Sequence, residues 1–147
     1  MGMRVVIVTG GFDPLHSGHI AYFNAAKELG DILCVGVNSD KWLERKKGKP
    51  FMPWQERKEI VHNIKSVGYA FDFNDDDGSA IDAIRHIKDY FPNNSEIIFA
   101  NGGDRGDRNT PEMDVCKEMD IQMIWGMGGN DKPQSSSWLV DKIREKK

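Results

Sequence analysis

Strand-like and helix-like segments alternate along the chain, and this alternation limits its fold more than any other feature. Arg4 to Val8 is an almost continuous β-branched run, the pattern of a strand buried on both faces. Residues 18–29 place Ile20, Phe23, Ala26 and Leu29 at three-residue steps and stop at Gly30, which predicts a helix. Ile32 to Val37 reads as a second buried strand, and Ser39 as the cap of a short helix through Leu43. Residues 45–53 read as a basic loop, with Pro53 in the first turn of a helix over 53–66. Further strands are expected at Tyr69 to Phe73, Ile97 to Ala100 and Ile121 to Trp125. Further helices are expected at Ser79 to Tyr90, from Pro111, and at Ser136 to Lys146. Such alternation predicts the α/β class: a Rossmann-like three-layer α/β/α arrangement with a five-stranded parallel sheet and right-handed crossovers. At 147 residues, a single domain over 1–147 is expected.

A hydrophobic content of 39% suffices for a core. Twenty basic against twenty-three acidic residues give a net charge of -3, which argues against a nucleic-acid partner. Cys34 and Cys116 have no CxxC spacing and read as buried free thiols, with neither a disulfide nor a zinc site expected. The apolar run Val5 to Val8 is too short for a signal peptide or membrane span, so no membrane contact and a cytoplasmic location are expected.

In open parallel sheets, ligands bind beyond the carboxyl ends of the strands, where the strand order reverses. The unusual residues of this chain fall at such ends. Gly10 to His19 follows the first strand, Asn101 to Arg105 the fourth, and Gly126 to Ser137 the fifth. In the first segment, Gly10 and Gly11 allow close backbone approach, and Asp13-Pro14 turns the chain. His16 and His19, three residues apart at a helix start, can share one face. The helix N-terminus favours an anion, and two imidazole donors beside it suit a phosphate that gains charge during reaction. GxGxxG fails because Phe12 and His16 occupy glycine positions, and GxxxxGK[ST] is absent. Taken alone, the two histidines would equally fit a helix surface or half of a zinc site, but no third or fourth ligand is evident and no metal site is assigned.

Gly10-Gly11-Phe12-Asp13-Pro14-Leu15-His16-Ser17-Gly18-His19 resembles the GxFDxxHxGH signature of the cytidylyltransferase-like nucleotidylyltransferases, with all its fixed positions present. The resemblance continues through Leu29-Gly30-Asp31, Val35 to Asp40, Lys47 to Pro50, Glu56-Arg57, Gly102-Gly103-Asp104 and Ser135-Ser136-Ser137. It runs nearest to the glycerol-3-phosphate, ethanolamine-phosphate and heptose-1-phosphate branches. It implies in-line attack by an acceptor phosphate oxygen on the α-phosphorus of CTP or ATP, release of pyrophosphate, and no covalent enzyme intermediate. Catalysis would rest on positioning and charge stabilisation.

By motif position, the resemblance assigns His16 and His19 to the nucleotide phosphates as catalytic residues. Gly10, Gly11, Phe12, Asp13, Gly18, Gly103 and Asp104 would line the nucleotide site, with Asp104 on the ribose or base. Ser135, Ser136 and Ser137 would hold the β- and γ-phosphates, although one of them also reads as a helix cap. Many members have an arginine before this motif; Lys132 stands there instead. Of Lys46, Lys47 and Lys49, one is expected to reach the substrates, with Lys46 and Lys49 carried forward. Arg57 would clamp the acceptor phosphate, or simply form a salt-bridged helix surface. Arg105 and Arg108 could face phosphate or solvent. Trp54 is the tryptophan taken first for base stacking, against ordinary packing. Asp75-Asp76-Asp77 reads as a solvated turn and helix cap. Magnesium is expected to arrive with the triphosphate. The implied partners are CTP or ATP, a small phosphorylated acceptor and, by resemblance only, a second copy in a homodimer.

Overall fold

The computed structural model describes residues 2–101 and 111–125. In chain order the elements are β1 (Arg4–Gly10), α1 (Ser17–Lys27), β2 (Ile32–Val37), α2 (Asp40–Lys47), α3 (Trp54–His62), β3 (Tyr69–Asp72), α4 (Ile81–Tyr90), β4 (Glu96–Ala100), α5 (Pro111–Glu118) and β5 (Gln122–Ile124). The five strands form one parallel sheet in the order β3-β2-β1-β4-β5, so the strand order reverses between β1 and β4. This is the Rossmann-like α/β arrangement that the alternation predicts.

Alternation within β1 divides the core. Val5 and Ile7 join Phe71, Ile84, Ile87, Phe99 and Val115 on one face, under α4 and α5. Val6 and Val8 join Phe23, Ala26, Val35, Val37 and Val61 on the other, under α1 and α3. All four β1 residues are fully buried, as a strand with helices over both sides requires. Cys34 and Cys116 are buried free thiols, and burial pushes them up to about 12 and about 11.

The β1 pairings determine where the sheet opens. β1 pairs with β4 from Arg4↔Glu96 to Ile7↔Phe99, but with β2 from Val5↔Ile32 through Gly10↔Val37. Beyond Ile7, β1 therefore follows β2 and parts from β4.

Several boundaries move. Arg45, Lys46 and Lys47, expected in a loop, form the last turn of α2, because nothing breaks the helix before Gly48 (φ 91°), whose amide bonds Glu44. Pro53 is the N-cap of α3 rather than part of its first turn, and that helix ends at His62. Helix α4 starts at Ile81, since Ser79 is turned back onto Asp77. The helix expected over Ser136 to Lys146 lies outside the described residues. Among the described residues no helix is long and apolar enough to cross a membrane.

Candidate functional site

The loop after β1 leads into α1, and the two histidines build that helix start. His16 is the N-cap. Its Nδ1 accepts the Gly18 amide at 3.0 Å, and Nδ1 of His19 accepts the His16 amide at 3.2 Å. The ring centroids are 4.0 Å apart. A neutral imidazole that accepts at Nδ1 carries its proton on Nε2, so this cap fixes the tautomer of both rings. Burial lowers the pKa of His16. Burial first, and the neighbouring His16 second, bring His19 down to about 4. Near neutral pH both rings are uncharged Nε2–H donors. Nε2 of His16 is buried and has no hydrogen-bond partner among the described residues. A buried donor left unmatched costs stability, and an anion over the helix start would satisfy it.

Phe12 stabilises the pair from below. Its backbone lies in the left-handed region (φ 52°), uncommon for a bulky residue and a form of local strain typical of functional loops. Its ring meets His19 edge-on at 5.2 Å and Phe23 at 5.1 Å. The close approach granted by the two glycines is to the chain's own side chains. A Cβ at Gly10 would lie 2.8 Å from the Phe12 ring, and one at Gly11 2.8 Å from Leu43. Gly18 enters the site through its amide, on His16.

Asp13, expected at the nucleotide, is committed internally. It is 3% exposed. Its carboxylate pairs with Lys47 Nζ at 2.8 Å and accepts the amides of Phe51 and Met52, which pins the α2–α3 connection against the first loop. The lysines thereby sort themselves. Lys47 holds Asp13, Lys46 lies over the Trp42 ring at 4.8 Å, and Arg45 bonds the Asp75 carbonyl at 2.9 Å. Lys49 is exposed and makes no hydrogen bond, ion pair or ring contact with the described residues.

Arg57, expected to clamp an acceptor phosphate, is fully buried. Its guanidinium donates to the carbonyls of Met52 (3.0 Å), Gly11 (2.9 Å) and Asn38 (2.7 Å), and to the Asp40 carboxylate at 2.6 Å. The donors that would have gripped a phosphate tie the first loop to the β2 end and to α3. The nearby Asp75 is no solvated turn residue either. It is 2% exposed and accepts from Asn38 Nδ2, Ser39 N and Ser39 Oγ. Sequence reasoning gave Asn38 and Asp40 no role of their own, took Lys47 only as one of three candidates to reach the substrates, and read Asp75 as solvated. A signal for Asp75 was present: Phe71, Phe73 and Asp75 alternate as buried residues with exposed Asp72, Asn74 and Asp76.

Trp54 sits at the edge of the core. Its indole N–H donates to the Val37 carbonyl at 3.2 Å and Lys58 covers its ring, an arrangement of packing rather than a free stacking face. Among the described residues no group of three or more His, Cys, Asp or Glu could hold a metal ion. Gly103, Asp104, Arg105, Arg108, Lys132, Ser135, Ser136 and Ser137 lie outside the described residues.

Known proteins resemble this chain in sequence and in fold. The cytidylyltransferase-like family matches residues 7–130. The bifunctional protein HldE of a Nitratiruptor species is 37% identical over 145 residues, covering 97% of this chain and 28% of that protein. The chain thus spans little more than a quarter of the length of this curated relative. The lipopolysaccharide core biosynthesis protein from Thermoplasma volcanium is similar in structure with a TM-score of 0.65 and 25% identity, over 84% of this chain and 96% of that one. The NadR protein in complex with NAD and AMP-PNP shares the fold, with a TM-score of 0.59 and 18% identity, over 98% of this chain and 42% of that one.

Proposed function

Because this chain belongs to the cytidylyltransferase-like family and carries its nucleotidyltransferase domain, we propose that it transfers a nucleotide from a nucleoside triphosphate to a small phosphate ester and releases pyrophosphate. The observation that carries this reading is the imidazole pair at the reversal of strand order, fixed as neutral Nε2–H donors, with Nε2 of His16 still lacking a partner among the described residues.

An acceptor phosphate oxygen attacks the α-phosphorus in line, the bond to the pyrophosphate oxygen breaks, and the electron pair leaves with pyrophosphate. Charge on the non-bridging oxygens rises towards the pentacoordinate state. Two neutral donors suit that change, since they bind the charged transition state more tightly than the ground state without repelling each other. Lys49 brings positive charge from the α2–α3 connection. Arg57 and Asp13 keep that connection in register with the first loop. A magnesium ion would ride on the phosphate oxygens of the nucleotide and supply charge neutralisation there. Gly103, Asp104, Lys132 and Ser135 to Ser137 complete the proposed nucleotide contacts.

For the acceptor we favour a sugar phosphate with ATP, the adenylyl branch of the resemblance. The relative from Thermoplasma volcanium is a lipopolysaccharide core biosynthesis protein, and glycan cores are assembled from nucleotide-activated sugars. Glycerol-3-phosphate with CTP is the comparison arm. The test is a matrix of ATP and CTP against sugar 1-phosphates, glycerol 3-phosphate and ethanolamine phosphate, read as pyrophosphate release with magnesium present. Release is expected to require nucleotide and acceptor together. Tight nucleotide binding by calorimetry with no release from any pair would overturn the enzyme reading in favour of a binding module.

A further inference from the structure

Where β1 parts from β4, the end of β4 loses a ladder partner on one side, and its backbone carbonyls need other donors. At Ala100, which is 1% exposed, the donor is a side chain: the Tyr22 hydroxyl, 2.9 Å from the carbonyl oxygen. Tyr22 lies three residues beyond His19 on α1, so both occupy one face of that helix. Its ring lies 5.9 Å from that of Phe23, which packs edge-on against Phe12 in the first loop. On the far side, the Asn101 amide donates to the Ile124 carbonyl at 2.7 Å, which fastens the same strand end to β5. One run of contacts therefore joins the imidazole pair, a turn of α1, the end of β4 and β5.

We propose that Tyr22 is a positioning residue for nucleotidyl transfer. By holding the Ala100 carbonyl at the fork, its hydroxyl sets the separation between the His16–His19 donors on one wall of the crevice and the end of β4 on the other. This rests on the reaction proposed above. The hydroxyl's share in the fold is a single hydrogen bond to one buried carbonyl, a modest contribution. Its position matters more, since displacements of about 1 Å away from the chemistry can cost roughly a hundredfold in rate.

Tyr22→Phe keeps the ring and removes only the donor. The expected result is a kcat lowered about tenfold, with nucleotide Kd by calorimetry within about twofold and a melting temperature within a few degrees of wild type. A kcat equal to wild type overturns the proposal, as does a fall in kcat matched by an equal weakening of Kd. Should the phenylalanine variant fail to fold, 4-aminophenylalanine placed at position 22 keeps the ring and a para N–H donor for the Ala100 carbonyl, so kcat is expected within about twofold of wild type. A folded 4-amino variant with kcat lowered about tenfold overturns the proposal. Wild-type protein that turns over no pair in the substrate matrix removes the reaction and this role together, whereas active wild type with an unaffected phenylalanine variant removes this role alone.

Discussion

His16 and His19 cap one another's backbone: the His16 amide donates to Nδ1 of His19 at 3.2 Å, and the two rings lie 4.0 Å apart. The same bonds that start α1 therefore select which ring nitrogen carries a proton. Fold and chemistry share these two side chains, and variants have to separate the two roles.

His16→Ala and His19→Ala are each expected to lower kcat by about two orders of magnitude or more, the range for losing one donor to a developing oxyanion. Loss of the cap adds about 1 kcal/mol of destabilisation to His16→Ala. His16→Asn restores a capping oxygen without the Nε2 donor, so its melting temperature is expected near wild type while turnover stays low. Recovery of turnover in His16→Asn would reduce His16 to a cap.

Acid should weaken the fold through the same pair. The folded-state pKa of each histidine lies below its ordinary value near 6.5, with His19 at about 4. The unfolded chain therefore binds more protons between about pH 6.5 and 4. The contribution to stability is fully present above pH 6.5 and is lost as pH falls towards 4. Protonation at Nδ1 also displaces the two capping amides. Urea unfolding across this range checks the sign: His19→Gln should flatten the dependence, and an equally steep curve would count against the assignment.

Asp13→Ala is expected to destabilise by about 2–3 kcal/mol, since it leaves the Phe51 and Met52 amides without their acceptor, while Lys47 keeps its bond to the residue 13 carbonyl. Limited proteolysis should then cut the 48–53 connection faster than in wild type. An unchanged cleavage rate there would show that the connection is held by other contacts.

Arg57→Met leaves three carbonyls and Asp40 without their donor, and a loss of about 3–5 kcal/mol is expected. Thermal melts distinguish this from an acceptor clamp, which would raise KM for the acceptor and leave stability alone. Lys49→Ala is the converse case: an unchanged melt with kcat/KM lowered about tenfold or more, the scale of one charge-assisted hydrogen bond.

The sheet was legible because β-branched runs buried on both faces are hard to mistake, and β1 and β2 lie where those runs fall. The α2 boundary was not. Lys46 and Lys47 look like loop residues by charge, yet charge does not break a helix, and Gly48 does. The histidine pair was legible because its spacing and its loop belong together. Arg57 and Asp13 were legible as special residues but not in their direction. A motif gives the residue type, while the atom that a guanidinium or carboxylate faces depends on chain segments more than thirty residues away, such as Gly11 for Arg57 and Met52 for Asp13. Asp75 was missed because a run of three acids hides a buried member among exposed neighbours.

The two buried thiols also bear on how motion near the site can be observed. Cys34 and Cys116, the chain's only cysteines, are raised to about 12 and about 11 by burial, so almost none of either is thiolate at neutral pH. Alkylating reagents therefore meet a silent background. A single cysteine introduced at Phe51, whose side chain projects into solvent while its amide is tied to Asp13, would take up a fluorophore selectively. The wild-type scaffold then serves as its own labelling chassis, and the arrival of nucleotide at the histidines could be followed optically from the neighbouring connection.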